Sequence, residues 1–440
     1  MNVLEDARAT ADQAELFSTR RKSAYVRFDD SSLALVAHRN DSACALRVLR
    51  DGKLGASFGE SPSQAGLLDS ALAAASFGQS VKFGFATEQP ACIARTYNAQ
   101  TAMMTAEDIV DLCSKLKSRI HQAVPDATIN MVCQVESSSR RVETTEGAIA
   151  EEASTLAELA VELPFAHRGT DTGARAVVMS NDPIHIPDEW IAQLVEERSW
   201  GEQASSPVTG RLPVILTPAT SNLLTLALVS CLSGHAVAKG ISPLLDKTGQ
   251  KILSDQLTIR ENAGEQALPL ARSFDDEGIA CQRRTIVEKG VLLGFLTDLS
   301  SAANLGQPST GNAVRRTLFS EKIEDAPTPS FLGAIIEAGS VPWRELVRSL
   351  EEGVLVTHML GLHSSNLLQG QFSVQVTGFH IRKGKVVGYL ERTMMSGNLF
   401  EDFTDIRGVS QERMPTAQGS LAVAGLAPYI LLDSAQLTVG

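Results

Sequence analysis

The stretch LTLALVSCLSGHAVAKG, residues 224–240, decides how the second half of this 440-residue chain is read. Its apolar density predicts one long buried helix. One cysteine, Cys231, and one histidine, His235, ride on it. The helix either holds a metal or only packs, and the surrounding sequence must separate the two. A catalytic zinc takes about three protein ligands converging on one point, with a place left for water. The usual helical solution sets two histidines about one turn apart with a Glu base beside the first. No histidine of this chain is followed by Glu, and none lies within a turn of His235. His358 and His363, in THMLGLHSS, are close in sequence, but their spacing suits neither a helix face nor a strand face. A site built from Cys231, His235, His358 and His363 would need unrelated segments to converge. The stretch therefore predicts packing, with His235 a satisfied helix-end histidine and Cys231 a small buried hydrophobe. No catalytic, cofactor-binding or metal residue is assigned.

Composition narrows the classes further. The formal charge of -12 argues against direct nucleic-acid contact, because basic runs stop at Arg20-Arg21-Lys22, Arg283-Arg284 and Arg315-Arg316. The apolar run around Leu224 is broken by Ser230, Ser233 and His235. It falls short of the ~18–20 apolar residues of a membrane span. The N-terminal MNVLEDARATADQ carries no signal-peptide pattern. A soluble, cytoplasmic protein without a membrane role is expected. Cys44, Cys92, Cys113, Cys133, Cys231 and Cys281 include no C-x-x-C pair, so reduced buried thiols are expected rather than a disulfide framework.

Element signals predict an α+β chain. Asp6–Arg20 is read as helix. Asp29-Asp30 and Asp51-Gly52 mark turns between strands. SPSQAGLLDSALAAASFG predicts a helix capped by Ser61 and ended at Gly78. Thr105 with Asp108 forms a relative of the capping box, and Ile109, Leu112, Leu116 and Ile120 share one face. The acidic, alanine-rich Ala150–Leu163 is read as helix. The polar GEQASSPVTG, residues 201–210, is the best linker. EKGVLLGFL and RKGKVVGYL, at 288–296 and 382–390, predict two hairpins turning at Lys-Gly. The divisions expected are 1–104 as an N-terminal α+β domain, 105–205 as a middle α/β segment, and 206–440 as a β-rich, barrel-like domain with one buried helix. FDDEG, Asp275-Asp276-Glu277, is read as a solvated turn, and GQPSTGNA, residues 306–313, as a turn-forming loop.

Three long segments then carry a resemblance. GQKILSDQLTIREN, FDDEGIACQRRTIVEKGVLLGFLTDLSSAANLGQPSTGNA and LVTHMLGLHSSNLLQGQFSVQVTGFHIRKGKVVGYLERTMMSGNLFEDFTDI resemble the TldD/PmbA family, named for DNA gyrase modulation and for peptide maturation. The likeness runs over Arg211–Gly440, and in pattern only over Glu15–Gly84. The family's TldD branch carries H-E-x-x-x-H on the helix at the start of this domain and a cysteine close to the C-terminus. Its PmbA branch, also called TldE, lacks them. Here the corresponding helix has no such motif and no cysteine follows Cys281. The resemblance thus implies a PmbA/TldE-type, non-catalytic subunit, with zinc held by a TldD-type partner and unfolded peptide as substrate. It leaves three alternatives: a stand-alone metallopeptidase with an atypical site, a non-proteolytic modulator of gyrase or toxin–antitoxin proteins, and a homodimer.

Overall fold

The computed structural model describes residues 3–91, 94–165, 173–205, 209–315, 322–416 and 424–439. Cys92, Arg316, the 206–208 part of the linker and the side chain of His363 lie outside what is described. The N-terminal sheet has the order β3-β2-β1-β4-β5-β6, antiparallel throughout. Its strands are β1 (Gln13–Asp29), β2 (Ser32–Arg50), β3 (Lys53–Gly59), β4 (Asn130–Thr144), β5 (Ile149–Pro164) and β6 (Gly173–Ser180). Local chemistry fixes its turns. Asp30 and Ser31 (φ 48° and 64°) join β1 to β2, and Asp51 and Gly52 (φ 52° and 69°) join β2 to β3, matching the twist of the strands they connect.

Helices cover one face of this sheet. Helices α1 (Val3–Arg8) and α2 (Leu67–Phe77) pack on Ala14, Leu16, Leu46 and Val48. The short α3 (Ala99–Met103) precedes α4 (Ala106–Ala123), whose Thr105–Asp108 capping box is complete. Ile109, Cys113, Leu116 and Ile120 of α4 are buried with Val26, Phe28, Met131 and Cys133, and α5 (Asp188–Trp200) joins the same core.

Three expected helix limits are corrected. Residues 13–20 belong to β1, because hydrogen-bonded neighbours on both sides outweigh the weak helical bias of this Ala/Glu-containing run. Residues 150–163 are strand β5 for the same reason. Its apolar Ala157, Leu159, Val161 and Leu163 alternate, which is a period of two that the alanine and glutamate content masks. Helix α2 begins at Leu67 after Gly66 rather than at Ser61, although Gly78 does end it.

The second sheet is C-terminal. It contains β7 (Gly210–Leu216), the short strands β8 (Ile259–Glu261), β9 (Arg284–Glu288), β10 (Val291–Leu292) and β13 (Ala334–Ile336), and the longer β14 (Glu352–Leu360), β15 (Gln371–Arg382), β16 (Lys385–Asn398), β17 (Ile406–Pro415) and β18 (Gly425–Val439). Between them, β11 (Ala313–Val314) pairs with β12 (Thr328–Pro329). Strand β18 pairs with both β16 and β7, so β7-β14-β15-β16-β18 closes into the expected barrel. Alternate residues of its strands enter two cores. Val214, Val356, Ile430 and Leu432 pack with helix α6 (Asn222–Leu232), whereas Ile215, Leu355, Tyr429 and Leu431 pack toward α4 and α5. Every residue of α6 except Ser230 is buried. Both Lys-Gly pairs turn hairpins as expected, with Lys289 and Lys383 themselves in the left-handed region.

Candidate functional site

The stretch 224–240 is two helices, not one. Helix α6 stops at Leu232, Ser233 is extended (ψ 122°), and α7 spans Gly234–Ala238. The break lets helix α8 (Leu299–Leu305) approach. A Cβ on Gly234 would lie 2.6 Å from Ser301 Oγ and 2.8 Å from Thr297 Cγ2. Asp298 caps α8 through Ser301 N–H (2.8 Å), and its other oxygen lies 2.9 Å from His235 Nε2. Burial opposes the Asp298 charge, but the His235 contact and the two Ser301 hydrogen bonds together outweigh it and leave that carboxyl below its usual range. Cys231 donates its thiol to the carbonyls of Leu367 (3.3 Å) and Leu368 (3.4 Å). Burial pushes this thiol up to about 12, so it stays protonated at neutral pH. His358 lies on β14, where burial and then Arg175 hold it below the usual histidine range. Among the described residues, no three His, Cys, Asp or Glu side chains converge as a metal cluster. The donors on and around this helix do not fit a catalytic zinc: the Cys231 thiol is turned to the Leu367 and Leu368 carbonyls, and no third donor among the described residues joins His235 and Asp298.

FDDEG is a correction. Asp275, Asp276 and Glu277 are buried, not solvated. The turn docks against the open face of the N-terminal sheet, where Phe274 packs with Phe17, Val142 and Ala150. Gly278 makes the turn (φ 77°) and sits so close that a Cβ would meet Val142 Cγ1 at 3.1 Å. Arg47 of β2 binds Glu15 in a two-pronged pair (2.9 and 2.6 Å) and reaches Glu277 at 2.9 Å. Arg315 reaches Glu15 at 3.1 Å. Glu277 also accepts Leu299 N–H (2.7 Å), and Asp275 accepts three backbone N–H groups. Burial raises Glu277 to about 7 despite the pull of Arg47. For Arg47 itself burial works downward, but Glu15 and Glu277 prevail and lift it above its usual range. These residues form a dry ionic clamp between the two halves of the chain.

Beside the clamp lies a cavity of about 430 Å³, floored by β1, β4 and β5 and roofed by Arg272, Arg315 and Phe331. A third polar cluster lies elsewhere. Ser205 Oγ is 2.6 Å from His380 Nδ1, and His380 Nε2 is 3.1 Å from Glu352. The order is that of a hydrolase triad, but the ring is wholly buried and none of the three lines the cavity. It serves as a latch: Gln203 and Ser205 also hydrogen-bond to Tyr389 of the barrel through their backbones. Sequence reasoning missed both the clamp and the latch. The one local signal for the clamp was three acids running into a glycine after Phe274.

Comparison with known proteins fits this architecture. Residues 209–439 match the PmbA/TldA metallopeptidase C-terminal domain, and residues 14–76 match PmbA/TldA metallopeptidase domain 1. A metalloprotease PmbA homolog of Buchnera aphidicola is 26% identical over 230 residues, 52% of this chain and 48% of that one. The chain spans about half the length of several such curated relatives, Escherichia coli metalloprotease PmbA included (46%). A metalloprotease of Methanothermobacter thermautotrophicus is 24% identical over 93% of this chain and 90% of its own. In fold, TldE from Thermococcus kodakarensis superimposes with a TM-score of 0.88 at 20% identity, covering 99% of each chain. A Thermotoga maritima protein described as a candidate modulator of a DNA gyrase does so at 0.83 and 18%, covering 99% of this chain and 98% of that one. Among the described residues no helix is long and apolar enough to cross a membrane. With its C-terminal domain matched from 209 to 439, the chain belongs to the PmbA/TldD family, whose named relatives are metalloproteases.

Proposed function

We propose that this chain is a PmbA/TldE-type subunit of a cytoplasmic zinc-peptidase complex and makes no catalytic metal site of its own. A TldD-type partner supplies the zinc, the Glu base and the water nucleophile, and this subunit helps hold unfolded peptide. The observation that carries the reading is the chemistry at residues 224–240. Cys231 is a buried, protonated donor and His235 is engaged by Asp298, on the helix where the catalytic branch bears H-E-x-x-x-H. Residues 206–440 are proposed as one domain, and 1–104 and 105–205 as two segments that share one N-terminal sheet. Peptide capture by strand addition to an open sheet edge suits sequence-tolerant binding. The test is cleavage of an unfolded peptide by the chain alone, by a TldD-type protein alone and by the two mixed. Chelator-sensitive cleavage only when the TldD-type protein is present supports the proposal. Cleavage by the chain alone sinks it.

A further inference from the structure

The clamp leaves one buried donor unmatched. Arg315 gives Nη2 to Glu15 and Nη1 to the Asp325 carbonyl (3.5 Å), but its buried Nε has no hydrogen-bond partner. This side chain is 3% exposed and lines the 430 Å³ cavity. Arg140 and Arg272, 14% and 17% exposed, line it too. Glu152 and Asp276 pair with them, yet burial and then the charge of Arg272 hold Arg140 below the usual guanidinium range. Burial and then Arg47 do the same to Arg315. Such a wall favours an added negative charge. Seven cationic and four acidic side chains line the cavity, and Glu152 and Glu15 pair with Arg140 and Arg315 from behind the wall, which leaves a single positive charge in excess. A low-dielectric cleft concentrates that field.

The rest of the wall narrows the ligand. Ser138 stands opposite Arg21 on one side and Ser154 on the other, and the two serine hydroxyls are 2.9 Å apart. Leu156, Pro269, Leu270 and Phe331 supply apolar surface. A bare ion uses none of that surface, whereas a side chain ending in a carboxylate uses all three kinds of wall. We infer that this cavity binds a carboxylate-bearing stretch of peptide, with Arg315 and Arg140 facing the acid and the serines facing its carbonyls. The inference rests on the peptide-handling reading above and adds a charge preference to it.

The test uses the full chain and a fluorescent, end-blocked decapeptide rich in Glu, beside its Gln twin. The Glu peptide is expected to bind at least ~10-fold tighter, about 1.4 kcal/mol. Ser154→Asp, which sets a fixed carboxylate in the wall without touching the clamp, is expected to abolish that difference. Ser154→Ala, which removes a carbonyl contact common to both peptides, weakens both alike and keeps the difference, and thermal melting confirms that both variants fold. Equal affinity for the two peptides, or an unchanged preference in Ser154→Asp, overturns the inference. So does tight binding of inorganic phosphate with none of the Glu peptide, which would mark a small-anion site. Cleavage by the chain alone would sink the subunit reading and leave the peptide result standing. Equal binding does the reverse.

Discussion

Two polar clusters meet at the N-terminal end of α8, and they differ in what they join. His235 and Asp298 pair across the ends of two short helices, with His235 one-third exposed and Asp298 buried. Glu15, Arg47, Glu277 and Arg315 join residues up to 300 positions apart and are dry, none of these side chains above 5% exposed. His235 can exchange its partner for water while the buried Asp298 keeps its Ser301 hydrogen bond, so the net contribution of the pair is small. The buried clamp cannot, and each charge in it depends on all the others. The same residue types therefore decorate a helix end in one place and fasten two halves together in the other.

The sharpest way to break this contrast is Arg47→Met. It strands Glu277, leaves Glu15 with Arg315 alone, and should cost about 3–5 kcal/mol in denaturant unfolding. A loss below ~1 kcal/mol would mean that water enters the clamp. Gly278→Ala comes next. A left-handed alanine costs roughly 1–2 kcal/mol before any shift of Val142 is counted. A neutral result would show that the turn can relax away from β4.

Acidity sharpens the contrast by sign. Glu277 titrates near 7 in the fold against an ordinary 4.5, so the folded chain holds that proton longer. Its contribution is greatest at low pH and declines as pH rises from 4.5 to 7. The slope is at most about 1.4 kcal/mol per unit. Asp298 lies below its ordinary 3.8, so its contribution is present above that value and is lost on further acidification. Unfolding curves across pH should therefore flatten above 4.5 in Glu277→Gln, and below 3.8 in Asp298→Asn. Matching profiles for the two variants would refute the distinction. The smallest effect belongs to His235→Ala, about 1 kcal/mol or less in denaturant unfolding. A loss comparable to that of Arg47→Met would make the helix-end pair an equal fastening.

Much of the fold was legible where its cause is local. The Asp51-Gly52 and Lys-Gly hairpins need a left-handed backbone that their residues accept, and Thr105 with Asp108 caps α4 from three positions away. Residues 13–20 and 150–163 were misread because alanine and glutamate favour helix only weakly, and two flanking strands overrule them. The clamp was illegible for a different reason. Nothing near Glu277 announces Arg47, which arrives from 230 positions upstream. At 224–240 the absence of H-E-x-x-x-H could be read in the sequence, but the break at Ser233 could not, because it answers the approach of α8.

Metal analysis of the purified proteins measures most directly whether zinc is held by this chain or by a TldD-type partner. The chain isolated alone should carry far less than one zinc per molecule, and its mixture with a TldD-type partner should carry zinc in proportion to the partner only. One tightly held zinc per molecule of the lone chain, retained through dialysis against a chelator, would contradict a partner-held zinc.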